Sequence, residues 1–363
     1  MFGNRSSSRA PLVLALTAVL LASACSSGSG RGAGTAGEPP SSPSVRRGEA
    51  AAPSSGSPFW VDPDSAAARQ VKEYEAAGRT EDARLLRRIA DQPAAVWPSG
   101  DDPVPDVARA VRGAAGEGRT AVLVAYNVPH RDCGRYSAGG APDGEAYRRW
   151  IDAFAGAVGD TRAVVVVEPD AVPHTVDGCT TGARAEERYG LLAYAVDRLK
   201  RQPNTRVYLD AGNPGWLGEP GRLVEPLRRA GVGRADGFAL NVANFHTDEA
   251  VRAFGTKLSE LLDGVHFVVD TSRNGAGPLP GGGEESWCNP PGRKLGAPPT
   301  LRTGDRLVDA YLWVKRPGES DGTCRGGPAA GTWWPEYALD LARRSDGRAA
   351  ARRHIVSSQK LAE

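Results

Sequence analysis

Six short runs of apolar and β-branched residues recur along the chain, separated by longer stretches with helical periodicity. The runs lie at Ala121–Asn127, Ala163–Glu168, Arg206–Asp210, Gly237–Val242, His266–Asp270 and Ala310–Lys315. Helix-periodic stretches fall between or beside them, at Gly144–Val158, Glu186–Lys200, Leu223–Ala230, Asp248–Leu262 and Pro335–Arg344. Val164 to Val167 and Phe267 to Val269 are apolar without alternation, the pattern of strands covered on both faces. Strand–helix repetition on this scale predicts a parallel α/β architecture, most economically a barrel.

Polar residues close nearly every run. Arg131 and Asp132 follow the first, Glu168 and Asp170 the second, and Asp210 ends the third. Asn241 and Asn244 follow the fourth, Asp270 and Arg273 the fifth, and Lys315, Glu319 and Asp321 the sixth. In a barrel these C-terminal ends converge on one mouth, where active sites are built. A single carboxylate after a strand reads as a cap or a turn fixer. Six polar strand ends in series read as the lining of a site.

The two ends of the chain have a different character. Arg5 and Arg9 precede an apolar run of 11 residues, Pro11 to Leu21. That is too short to span a bilayer and right for a secretory signal, so residues 1–24 are predicted to be a signal peptide. Ala22-Ser23-Ala24 fits ordinary signal peptidase, while Leu21-Ala22-Ser23-Ala24-Cys25 fits a lipobox in which Cys25 would be lipidated. Residues 25–57 follow as a tether, since 25 of the 32 residues after Cys25 are Gly, Ser, Ala or Pro and offer no apolar face. The folded unit is expected over residues 58–345, with a polar tail over 346–363.

Charge and cysteine content narrow the function. The chain holds 45 basic and 43 acidic residues, and the leader contains two arginines and no acid. The mature protein is therefore neutral, which argues against nucleic-acid binding. Five cysteines occur, Cys25, Cys133, Cys179, Cys288 and Cys324. If Cys25 carries lipid, the other four can form two disulfides outside the cell, where an odd thiol is a liability. No C-x-x-C spacing suggests structural zinc. No glycine-rich phosphate loop, H-E-x-x-H or G-x-S-x-G is present, so nucleotide, zinc-hydrolase and serine-hydrolase chemistry lack their residues. Carboxylates together with eight tryptophans suit glycoside hydrolysis. One acid protonates the departing oxygen, another carboxylate directs water, and aromatic faces hold sugar. The alternative from another class is a non-catalytic, sugar-binding lipoprotein, which needs the tryptophans but not the carboxylates.

Several segments resemble glycoside hydrolase family 6, the inverting cellulases. Val124-Ala-Tyr-Asn-Val-Pro-His-Arg-Asp-Cys-Gly-Arg-Tyr-Ser-Ala-Gly-Gly140 is similar to the family's first signature, and Val164-Val-Val-Val-Glu-Pro-Asp-Ala171 to its second. Tyr208-Leu-Asp-Ala-Gly212 with Trp216-Leu-Gly218, Asp270-Thr-Ser-Arg-Asn-Gly275, Trp287-Cys-Asn289 and Trp313-Val-Lys-Arg-Pro-Gly-Glu-Ser-Asp-Gly322 follow in family order. The resemblance implies a distorted parallel (β/α) barrel with fewer than eight strands, in a single catalytic domain. It implies no cofactor and no metal, a monomer, and a β-glucan partner. Membrane contact would come only through a lipid on Cys25, with the enzyme either anchored to the outer face or secreted.

By the same resemblance Asp170 is the acid, Asp132 the neighbour that keeps its pKa high, and Asp321 the base, acting directly or through water past Tyr126 and Ser137. Asp210 supports binding and charge balance. Arg273, Lys315 and Glu319 match sugar-contacting or site-ordering positions, and Trp97, Trp216 and Trp287 match stacking platforms. Asn244 is placed among the substrate-binding residues. The disulfides implied are Cys133–Cys179 and Cys288–Cys324. Asn213 stands where the family commonly has His, and Glu219 where its cellulases often have Trp. End-acting members enclose substrate in a tunnel made by loops after Trp287 and near Asp321. Only Gly322 to Thr332, 11 residues, follow Asp321 before the last helix, so an open cleft and internal cutting are expected.

Overall fold

The computed structural model describes residues 56–346, apart from Gly282 and Glu284. The leader, Cys25 with its competing processing readings, nearly all of the tether and the tail beyond Asp346 lie outside the described residues.

All six expected strands form, and they pair in parallel in sequence order: β1 (Ala121–Ala125), β2 (Ala163–Val167), β3 (Thr205–Asp210), β4 (Gly237–Leu240), β5 (His266–Asp270) and β6 (Val308–Leu312). Alternation within each strand divides the core in two. Val122, Val124, Val164, Val166, Tyr208, Ala239, Val268 and Ala310 fill the barrel interior. Leu123, Ala125, Val165, Val167, Leu209 and Val269 pack outward under helices. β6 lies earlier than the sequence pattern suggested, at 308–312 rather than 310–315. An irregularity opposite Phe267 and Val268 shifts its register, and Tyr311 pairs with Thr300 as well.

The barrel closes by a fragment instead of a full strand. Between β1 and β6, Ala95 N–H donates to Trp313 O (2.9 Å) and Val96 N–H to Val122 O (2.9 Å), while Val124 N–H donates to Val96 O (3.0 Å). This two-residue insert seals the seam and leaves Trp97 at the mouth. The sheet is thus a distorted barrel with fewer than eight strands.

The helices in chain order are α1 (Ala66–Ala76), α2 (Thr80–Ala90), α3 (Val104–Gly116), α4 (Gly144–Val158), α5 (Pro173–Val176), α6 (Gly182–Leu199), α7 (Pro214–Leu217), α8 (Val224–Arg229), α9 (Asp248–Leu261) and α10 (Pro335–Arg344). Asp143 caps α4 by accepting from Ala146 N–H (2.7 Å), and Thr247 caps α9 through Ala250 N–H (3.3 Å). The sequence reading passed over α1 to α3. In α2 five of eleven residues are charged, yet Leu85, Leu86 and Ile89 are buried with α1 and α10 in a satellite core. Tertiary packing decides that helix, because its apolar stripe is narrow.

Candidate active site

The strand-end carboxylates fall into two sorts. Three are buried fasteners. Glu168 accepts from the N–H groups of Asn127 and Val128 (2.9–3.0 Å), tying the exit of β1 to that of β2. Asp210 accepts from Asp170 N–H (2.8 Å) and Gly212 N–H (3.2 Å). Asp270 accepts from Ala243, Ser272 and Lys315 N–H (2.9 Å each), joining the exits of β4, β5 and β6. These bonds hold tight backbone turns: Asp132, Cys133, Glu168, Asp170, Asn241 and Ala243 all adopt positive φ. Non-glycine residues rarely do so without a surrounding structure that imposes it. Burial pushes both Glu168 and Asp210 up to about 7 despite these donors. Asp210 is fully covered, so it underpins Asp170 without reaching the cleft.

Asp132 and Asp170 are the second sort and face the cleft. Asp132 Oδ2 accepts from Ser137 N–H (2.6 Å). The Asp170 carboxyl accepts no hydrogen bond from the described residues. It is held well above the usual carboxylate range by burial first, then by the neighbouring charges of Asp210, Asp132 and Asp177, against the opposing charge of Arg135.

Asp321 stands in the opposite environment. Its Oδ2 accepts from Arg273 Nη1 (2.8 Å) and Asn289 N–H (3.0 Å), and Lys315 Nζ lies 3.2 Å from Oδ1. Burial alone would raise its pKa, but Arg273 and Lys315 outweigh burial and hold it below 3.8. Arg273 is fully buried, with Phe245 beneath its guanidinium (4.3 Å). Of the two roles expected for Arg273, sugar contact is therefore closed to it and ordering the site remains. Glu319 lines the cleft beside its partner Arg316 (2.8 Å).

Between these groups runs a cleft of about 1350 Å³, lined by Trp97, Tyr126, Trp216, Asn244, Trp287 and Lys315. Each tryptophan is fixed by a neighbour. Trp97 donates from Nε1 to Val314 O (2.8 Å) and meets Tyr126 edge-on. Asn213 Oδ1 caps α7 by accepting from Gly215 (3.1 Å) and Trp216 (3.0 Å) N–H, and Trp216 Nε1–H donates to Asp177 Oδ2 (3.1 Å). Trp287 is edge-on to Tyr136 at 6.0 Å. Cys133–Cys179 joins the loop after β1 to that after α5, and Cys288–Cys324 joins the loops after β5 and β6.

One contact runs between the loops that border the cleft. Tyr136, on the loop after β1, donates to Glu285 Oε1 (3.1 Å) and covers Gly322, where a Cβ would lie 2.4 Å from the ring. A bridge one side chain wide therefore spans the loops after β1, β5 and β6. From the sequence Glu168 is expected only as one of the strand-end residues lining the site, and His174 and Asn289 carry no site role. A Glu two residues before the acid and a Trp-Cys-Asn run are visible, but their hydrogen-bond partners lie 31 to 41 positions away in sequence.

Carboxylates of opposite character on one aromatic-walled cleft at a barrel mouth define the class as a glycoside hydrolase. Comparison with known proteins gives the family: the sequence profile of glycosyl hydrolases family 6 matches residues 54–345, and the chain belongs to that family. Endoglucanase A of Cellulomonas fimi is 41% identical over 297 residues, covering 81% of this chain and 62% of the relative. Endoglucanase 1 of Streptomyces halstedii is 41% identical over 294 residues, covering 78% of this chain and 88% of the relative. Among solved structures, the endoglucanase Cel6 of Mycobacterium tuberculosis, in complex with a thio-linked methyl cellobiosyl-cellobioside, is 45% identical with a TM-score of 0.73. It covers 80% of this chain and 98% of its own.

Proposed function

We propose that the protein is an inverting endo-β-1,4-glucanase acting on disordered or soluble β-glucan. The observation that carries this reading is Asp170, a cleft carboxyl crowded by carboxylates and free of any basic partner within hydrogen-bond reach, so it keeps a proton to give. Asp170 protonates the glycosidic oxygen as the bond breaks. Asp132 keeps that proton in place by its charge. Asp321 supplies a fixed negative charge for the oxocarbenium-like transition state and stands as the base expected from the sequence. Arg273 and Lys315 hold it, so proton removal from the attacking water is favoured through a water relay past Tyr126 and Ser137 over direct transfer. Trp97, Trp216 and Trp287 stack on sugar rings. The names of the relatives support the endo assignment. Two disulfides support a location outside the cell, anchored through Cys25 or released at Ala24.

The test is hydrolysis of carboxymethylcellulose, followed by viscosity, reducing ends and anomeric NMR. A steep viscosity fall with few reducing ends and α-anomer formed first is expected. Slow, proportionate thinning would remove the endo assignment, and initial β-anomer the inverting one.

A further inference from the structure

Asp132, Asp170 and His174 bring three potential metal-ligand groups together in the cleft. Asp132 uses Oδ2 on Ser137 N–H, and the Asp170 carboxyl accepts from none of the described residues. His174 is buried, 4% exposed, with Nδ1 on Asp177 Oδ2 (3.3 Å) and no partner at Nε2. A carboxylate oxygen of Asp132, one of Asp170 and a ring nitrogen of His174 all lie within 4.8 Å of one another. All three residues line the cleft, although His174 Nε2 itself is covered. Lone pairs gathered in a poorly hydrated pocket are unfavourable unless something positive is shared among them. A proton satisfies two of the three; a cation satisfies all three.

The surroundings fix this geometry. With Nδ1–H donated to Asp177, the lone pair sits on Nε2, the carboxylate–histidine arrangement that supports metal-ligating imidazoles. Asp177 is itself anchored, accepting from Trp216 Nε1–H at Oδ2 (3.1 Å) and from Cys179 N–H at Oδ1 (2.9 Å). His174 N–H donates to Asp170 O (2.9 Å), placing acid and imidazole on one turn. The Cys133–Cys179 disulfide clamps the loop of Asp132 against that of Asp177.

We infer that Asp132, Asp170 and His174 form a reversible site for one zinc-type divalent cation, which takes the acid out of action when bound. One imidazole nitrogen, two carboxylate oxygens and an open side toward the cleft suit zinc, which uses three protein ligands and a solvent position. Magnesium and calcium prefer six or more oxygens. Only the inhibition rests on the acid role proposed for Asp170.

Zinc chloride is titrated calorimetrically into the intact, disulfide-bonded protein, treated with iodoacetamide so that a free Cys25 thiol cannot bind metal. One equivalent should bind, and magnesium should not displace it. His174→Gln should weaken binding at least about tenfold, and Asp177→Asn, which keeps all three ligands, by about 10–100-fold. Hydrolysis of carboxymethylcellulose should fall with the same half-saturation as the calorimetric binding. Absence of binding, or wild-type affinity in both variants, overturns the site. Binding of one equivalent with undiminished hydrolysis overturns the inhibition and with it Asp170 as the acid, while the site itself stands.

Discussion

Asp170 and Asp321 face one cleft from the loops after β2 and β6, and their surroundings are opposite. Around Asp170 the neighbours are Asp132, Asp177 and Asp210, and no donor reaches its carboxyl. Around Asp321 stand Arg273, Lys315 and the N–H of Asn289. Both residues lie low in the site, so burial alone would raise both pKa values. Neighbouring charge decides the outcome, keeping a proton on one and a negative charge on the other. Two chemically identical side chains thereby acquire different work, and each half of the site can be broken separately.

The largest expected effect is on Asp170. Asp170→Asn keeps size and removes the proton, so kcat on β-glucan should fall by about 10²–10⁴-fold. Loss should be much smaller on an aryl cellobioside whose leaving group departs without protonation. Equal loss on both substrates would deny Asp170 the acid role. Folding stability should hold or rise in this variant, because a carboxyl crowded by Asp210 and Asp132 has been neutralised.

Asp321→Asn should do the reverse to stability. It leaves Arg273 charged, fully buried and held mainly by Ala243 O (2.6 Å). Breaking a buried pair in this way costs about 3–5 kcal/mol, read by denaturant unfolding. A loss under about 1 kcal/mol would mean that Arg273 finds water or another acceptor.

The same contrast has a pH signature. The folded pKa of Asp321 lies below its ordinary value of 3.8. Its ion pairs therefore contribute stability that is fully present above the unfolded pKa and lost as pH falls through the folded one. The melting temperature should drop below about pH 4, and the drop should be shallower in Asp321→Asn. An equal drop in both proteins would assign acid sensitivity to other carboxylates.

The sequence carried one half of this contrast better than the other. Strand-end placement of Asp132, Asp170 and Asp210 was legible because parallel strands with both faces covered leave a clear apolar signature, and polar residues mark where it stops. Which carboxylates fasten backbone and which face the cleft was not legible. Glu168, Asp210 and Asp270 look like Asp170 along the chain, and only the fold brings backbone N–H groups of neighbouring loops onto their carboxylates. Asp321 was found through its motif, but the closeness of Arg273, 48 residues earlier, is a property of the folded loops. The N-terminal helices were missed for a related reason, since five charges in α2 hide a stripe that makes sense only against α1 and α10.

The smallest expected effect concerns the bridge that joins the two sides. Tyr136 comes from the loop that carries Asp132, while Glu285, Trp287 and Gly322 belong to the loops that frame Asp321. The tyrosine ring is 38% exposed and makes one hydrogen bond and one edge-on aromatic contact. Together these are worth about 1 kcal/mol, a factor of about five in how often the bridge stands open. If this contact crosses the path of the glucan, an internal stretch would settle sideways into the cleft only while it is open, whereas a chain end could thread beneath it. Tyr136→Ala should therefore make viscosity fall more steeply per reducing end released, with little change in melting temperature. Tyr136→Phe, which keeps the ring and loses the bond to Glu285, should fall between. If neither variant changes the slope, the bridge does not gate access, and the internal cutting must be explained by the cleft on either side of it.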